Sequence, residues 1–170
     1  GTFCVVDGLS LVMLAPNGER SVVGSPLDTS APRFVRAIAP GKPGEFLMST
    51  ARGDVLRYDF ETERTDVLVA KQGQLKGLCA AEDGAVLVVR ENTKSVLAIT
   101  ASGEISTVVE GLNAPSDVLQ WQGKCYVSDS GDGCVLEISP AGEVSTVLDG
   151  LLDPRGIAAI GNTLYVLDRA

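Results

Sequence analysis

Histidine is absent from the 170-residue sequence. These residues therefore cannot supply an imidazole general base, a catalytic triad built on imidazole, or a His-ligated zinc or haem. Aromatic residues are scarce, at 5%. Nowhere do about 18 apolar residues run uninterrupted, so no membrane span is expected, and a soluble protein is. The four cysteines, Cys4, Cys79, Cys125 and Cys134, are too few and too scattered for a disulfide scaffold and form no Cys-x-x-Cys pair. Basic residues are outnumbered, 14 Lys and Arg against 22 Asp and Glu, for a net charge of -8 and an isoelectric point near 4.5. That balance opposes general attraction to nucleic acid or anionic lipid, and no nucleic-acid partner is expected. The chain starts at Gly1 with no initiator Met and no signal-peptide pattern, and reads as processed or partial.

What the sequence has instead is a repeat. The run from Gly103 to Leu112, GEISTVVEGL, is matched at an offset of 39 by GEVSTVLDGL from Gly142 to Leu151. At the same offset Pro115 falls on Pro154, Val118 on Ile157, and Cys125-Tyr126-Val127-Ser128-Asp129 on Leu164-Tyr165-Val166-Leu167-Asp168. Weaker copies precede it, with Gly53-Asp54-Val55-Leu56 matching Gly133-Cys134-Val135-Leu136, and Pro16-Asn17-Gly18-Glu19 matching Pro140-Ala141-Gly142-Glu143.

Each period holds four short runs of Val, Leu and Ile separated by Gly, Pro, Asp and Asn, which is the pattern of strands and turns. In the clearest copy the runs are 115–121, 124–129, 133–139 and 143–149. No segment sustains an apolar stripe at helical spacing. Four antiparallel strands every 40 or so residues is the period of a β-propeller blade. Near-continuous apolar runs such as Ala85 to Val89 suit strands covered on both faces by neighbouring blades. The expected fold is all-β, an incomplete propeller with blade pieces at about 1–24, 33–69, 76–109, 115–149 and 155–170, seventeen strands in all. About four blades are visible, and an incomplete six-bladed ring is expected. Its open edges call for unmatched sequence of the same chain or for a protein partner.

Pro115-Ser116-Asp117-Val118, followed by Tyr126-Val127-Ser128-Asp129, Val135-Leu136-Glu137-Ile138 and Gly142-Glu143, resembles the NHL repeat. Arg155-Gly156-Ile157 with Tyr165-Val166-Leu167-Asp168 resembles the opening of the next one. The aspartate after the strand is replaced by Ser49 in the second copy and Arg90 in the third. The resemblance extends to the six-bladed NHL-like group that includes gluconolactonase-like and strictosidine-synthase-like propellers. It implies a fold shared by interaction scaffolds and enzymes.

In the lactonase-like members of that group, the first residues of the inner strands supply Asn and Asp to a divalent metal. Here the corresponding positions read Arg33, Lys76, Ser116 and Arg155, a poor donor set for a cation, so no metal and no cofactor are expected. They imply instead a small basic channel mouth suited to a carboxylate, a phosphate or an acidic segment of a partner. Asp7, Asp129 and Asp168 are expected to cap their hairpins by accepting backbone N–H bonds rather than to hold calcium. Cys125 and Cys134, on consecutive strands, are either two buried thiols or a cross-hairpin disulfide. Trp121 and Tyr126 are expected to pack between blades. With no recognisable catalytic cluster, the sequence points to a non-catalytic interaction or scaffold module, a subunit of a larger assembly. The alternative is part of a propeller enzyme whose catalytic residues lie outside the chain.

Overall fold

A computed structural model describes residues 3–7, 10–22 and 34–169. It holds strands and turns and, among the described residues, no helix. β1 (Phe3–Asp7), β2 (Ser10–Leu14) and β3 (Arg20–Val22) form a three-stranded sheet. Three four-stranded antiparallel meanders follow: β4 (Val35–Pro40), β5 (Glu45–Thr50), β6 (Val55–Asp59) and β7 (Arg64–Val69); β8 (Leu75–Ala80), β9 (Val86–Arg90), β10 (Ser95–Ile99) and β11 (Ile105–Val109); β12 (Pro115–Trp121), β13 (Lys124–Asp129), β14 (Cys134–Ile138) and β15 (Val144–Leu148). The last sheet is the pair β16 (Pro154–Ile160) and β17 (Thr163–Asp168). This is the all-β, four-stranded blade architecture that the repeat predicts.

Turn chemistry explains where the strands stop. Gln122 and Gly123, at φ 52° and 73°, close the β12–β13 hairpin as a two-residue turn with both central residues left-handed. Gly133, at φ 61°, precedes β14 where a Cβ would run into the carbonyl oxygen of Leu151, so the linker to the last sheet can lie against the hairpin.

The core lies between the sheets. Leu47, Val55, Leu75, Leu78, Val88 and Leu97 join the second sheet to the third. Cys79, Leu87, Val89, Val118, Cys125 and Val127 join the third to the fourth. On the opposite face of the second sheet Phe46, Met48, Leu56 and Tyr58 are buried together, with the rings of Phe46 and Tyr58 centred 5.0 Å apart. Trp121 and Tyr126, 5.8 Å apart, pack with Val135, Ile157, Leu164 and Val166 between the fourth sheet and the last, where the sequence places them. Strands such as β9 are therefore covered on both faces, and their continuous apolar runs follow from that. The inner strands β4, β8, β12 and β16 stand side by side in that order. Beyond β16 and β17 the outward face shows Ile160, Tyr165 and Leu167, which are 70%, 52% and 64% exposed.

The cysteines decide between the two alternatives in favour of buried thiols. Cys125 lies opposite Ile138, and Cys134 opposite Asp129, at the two ends of the β13–β14 ladder. Four residues of strand separate them, roughly 13 Å, well beyond the span of a disulfide. Cys79, Cys125 and Cys134 are buried free thiols. Burial pushes Cys125 up to about 12 and Cys79 up to about 11, so both behave as small apolar core residues.

Candidate functional site

Every inner strand carries one extra residue near its start. Val35 pairs with Thr50 and Ala37 with Ser49, Pro115 with Asp129 and Asp117 with Ser128, so Arg36 and Ser116 stand outside the ladder. The same shift lies between Leu75 and Leu78, and between Pro154 and Ile157. Such a bulge turns a side chain away from the sheet. Repeated in four successive sheets, it brings Arg36, Lys76, Ser116 and Arg155 into one groove of about 290 Å³, lined also by Ala37, Gly77, Asp117 and Gly156. Three of the four residues expected at the channel mouth are thus together. Arg33 lies outside the described residues, and the residue in register with the other three is Arg36.

Serines fasten this row from one sheet to the next. Ser128, fully buried, donates its hydroxyl to the Arg155 carbonyl at 2.7 Å and accepts the Asp117 N–H at 3.0 Å. Ser49 donates to the Lys76 carbonyl in the same relation. Register makes Ser49 the counterpart of Ser128. Thr50, not Ser49, occupies the position of Asp129. A hydroxyl is what that site needs, since the bulge leaves a carbonyl with no ladder partner.

The groove is less basic than its residue types suggest. Lys76 Nζ is 3.0 Å from Glu91, and Arg155 Nε is 2.8 Å from Asp153, which Arg169 also approaches at 2.7 Å. Burial pushes the Asp153 carboxyl up, but Arg155 and Arg169 outweigh it, and the net shift is downward. Arg155 also reaches the Ser116 hydroxyl at 3.4 Å. Arg36 is exposed and has no ion-pair partner among the described residues.

Asp117 is the residue that sequence reasoning missed. Its Oδ1 accepts the Val118 N–H at 2.9 Å and its Oδ2 accepts the Ile157 N–H of the next sheet at 3.0 Å. On the other side it rests on Gly77, where a Cβ would overlap its Oδ1 and crowd its Cα. Burial raises its pKa to about 6, against the lowering effect of the two backbone N–H bonds. The counterparts in the other inner strands are Ala37, Gly77 and Gly156, so among the described residues one inner strand places a carboxylate here. The visible signal was this contrast of Asp against Gly and Ala at one repeat position.

The aspartates after the second strands do what a capping role requires. Asp129, fully buried, accepts the N–H groups of Asn113, Ala114 and Gly131 at 2.7, 2.7 and 3.0 Å. Asp168 accepts those of Leu152 and Asp153. Each ties the preceding linker to its own hairpin. The Asp7 side chain lies outside the described residues. Among the described residues no three His, Cys, Asp or Glu side chains gather as a metal cluster.

The fold is that of a β-propeller built from four-stranded antiparallel blades. No protein-family profile and no curated protein sequence matches the chain. Among solved structures, virginiamycin B lyase from Staphylococcus aureus is similar at a TM-score of 0.79 and 15% identity, over 99% of this chain and 59% of its own. A chain of a nidogen/laminin complex is similar at 0.80 and 14%, over 94% of this chain and 64% of its own. A calcium-binding protein, regucalcin, from Agrobacterium tumefaciens is similar at 0.80 and 13%, over 97% of this chain and 63% of its own. These likenesses establish the fold. The chain spans less than two thirds of the length of each.

Proposed function

We propose that this chain is an interaction module of the NHL-like propeller kind, whose inner-strand groove receives an acidic segment of a protein partner. The observation that carries the reading is the alignment of Arg36, Lys76, Ser116 and Arg155 by four successive bulges in a single groove. Guanidinium and ammonium groups held on rigid strands meet carboxylates with little loss of freedom, and a hydroxyl beside them adds a further donor. Binding of a carboxylate here exchanges intramolecular ion pairs, Lys76 with Glu91 and Arg155 with Asp153, for intermolecular ones. Affinity is therefore modest and sensitive to salt. A chain of a nidogen/laminin complex shares the fold, which is a precedent for it in a protein complex.

A fluorescent ten-residue oligo-aspartate peptide tests the reading by anisotropy at low ionic strength. Arg155→Glu and Lys76→Glu should each weaken binding by about tenfold, while Arg64→Glu, on the outer strand β7, should leave it unchanged. Equal affinity for the wild type and both groove variants would reject the reading.

One observation favours a second reading, part of a propeller enzyme of the lactonase-like or strictosidine-synthase-like kind. A buried carboxyl with a raised pKa in a groove, as Asp117 is, has the properties of a general acid or base. In that reading the remaining catalytic groups lie outside these residues.

A further inference from the structure

Asp117 places a negative charge in the floor of a groove whose other ionisable lining residues are cations, Arg36, Lys76 and Arg155. Both of its oxygens are turned to backbone N–H groups, of Val118 and Ile157, and none of the described ion pairs includes it. From β8 it is faced by Lys76, which is tied to Glu91, by Gly77, and by the Cys79 thiol. From β13 it meets the neutral hydroxyl of Ser128, from β16 Arg155 with Asp153, and from β4 Arg36 across the groove. An anion bound to the cations lies close to this carboxylate in the same groove and is repelled by it.

We propose that Asp117 is a proton-operated gate on the groove: its protonation admits an anionic guest and its ionisation expels it. This inference rests on the anionic reading of the groove given above and concerns its regulation. Protonation removes the opposing charge and turns an acceptor into an O–H donor beside the guest. By linkage the guest in turn raises the Asp117 pKa, and a proton is taken up on binding. Charge repulsion sets the sign, and the Asp117 pKa, raised by burial to about 6, sets the range. The gate is open below that pH and closed above it, a range in which arginine and lysine keep their charge. The Cys79 thiol, pushed up to about 11, stays neutral throughout. Asp153, held down by its two arginines, stays ionised.

The oligo-aspartate peptide is again the probe, titrated at pH 5.5 and 7.5. Its own carboxylates begin to protonate toward the acid end, which can only weaken binding there, so tighter binding at pH 5.5 has the opposite sign to that trivial effect. Wild-type protein should bind about tenfold more tightly at pH 5.5 than at 7.5, within the range usual for coupled sites. Asp117→Asn should bind with little dependence on pH, and at 7.5 more tightly than wild type. As a measurement that needs no variant, the carboxyl carbon of Asp117 should titrate near 6 by NMR and shift to higher pKa when peptide is added. Binding that ignores pH in the wild type, or an unchanged pH dependence in Asp117→Asn, or a carboxyl titration that peptide does not move, would overturn the gate alone. Failure of the wild type to bind at either pH would overturn the anionic reading and the gate with it.

Discussion

The most demanding single residues in this chain are polar and buried. Ser128 joins two sheets through one oxygen, accepting the Asp117 N–H and donating to the Arg155 carbonyl. Ser128→Ala leaves both backbone groups without a partner in a dry site and should cost about 2 kcal/mol in chemical denaturation, where a surface serine would cost almost nothing. Gly77 is demanding for a different reason. A Cβ there meets the carboxylate and the Cα of Asp117, so Gly77→Ala must push strand β12 aside and should lower stability by about 1–3 kcal/mol. Neither role is visible in the repeat. Ser49 and Ser128 look like hairpin residues until the bulge shifts the register by one and shows that they answer a carbonyl of the next sheet. Likewise Asp117 looks like an ordinary polar residue at the start of a strand until Gly77 and Ile157 close over it.

At the scale of the strand and hairpin, local chemistry and structure agree closely. The four runs read from the clearest copy, 115–121, 124–129, 133–139 and 143–149, correspond to β12, β13, β14 and β15 with ends that differ by a residue or so. Agreement is good because each joint is fixed by residues that tolerate positive φ, and these punctuate the sequence plainly. In this copy one joint is imperfect, as are the turns that hold Glu63 and Lys94 at positive φ in earlier copies. Gln122 occupies a left-handed position at φ 52° that asparagine tolerates better, and its contact with Asn162, 3.3 Å and exposed, adds little. Gln122→Asn should therefore stabilise the chain by about 0.5 kcal/mol, seen as a rise in Tm of roughly 1–2 °C. Ladder register was not legible, and the disulfide alternative for Cys125 and Cys134 fell with it. Sequence spacing puts the two on adjacent strands, but only the pairing of Cys125 with Ile138 shows that they stand at opposite ends.

For the whole molecule, a net charge of -8 and a groove holding three cations are compatible because most of the acids among the described residues lie in turns and linkers while the bulges concentrate Arg36, Lys76 and Arg155. In the proposed reading general repulsion confines an anion to the groove, and the charge-reversal experiment above reads that site specifically. The sequence by itself determined that the chain is a stack of four-stranded antiparallel units, because a period near 40 with turn residues at its joints admits few other arrangements, and covering both sheet faces demands neighbours. It also determined that imidazole chemistry has no place in these residues. Tertiary structure alone decided that the extra residue of each inner strand points into a shared groove, that Glu91 and Asp153 already neutralise part of its charge, and that one buried carboxylate lies in its floor. These depend on register and on contacts between residues about 40 apart, where a shift of one position exchanges core for channel, and a repeat pattern is blind to a shift of one.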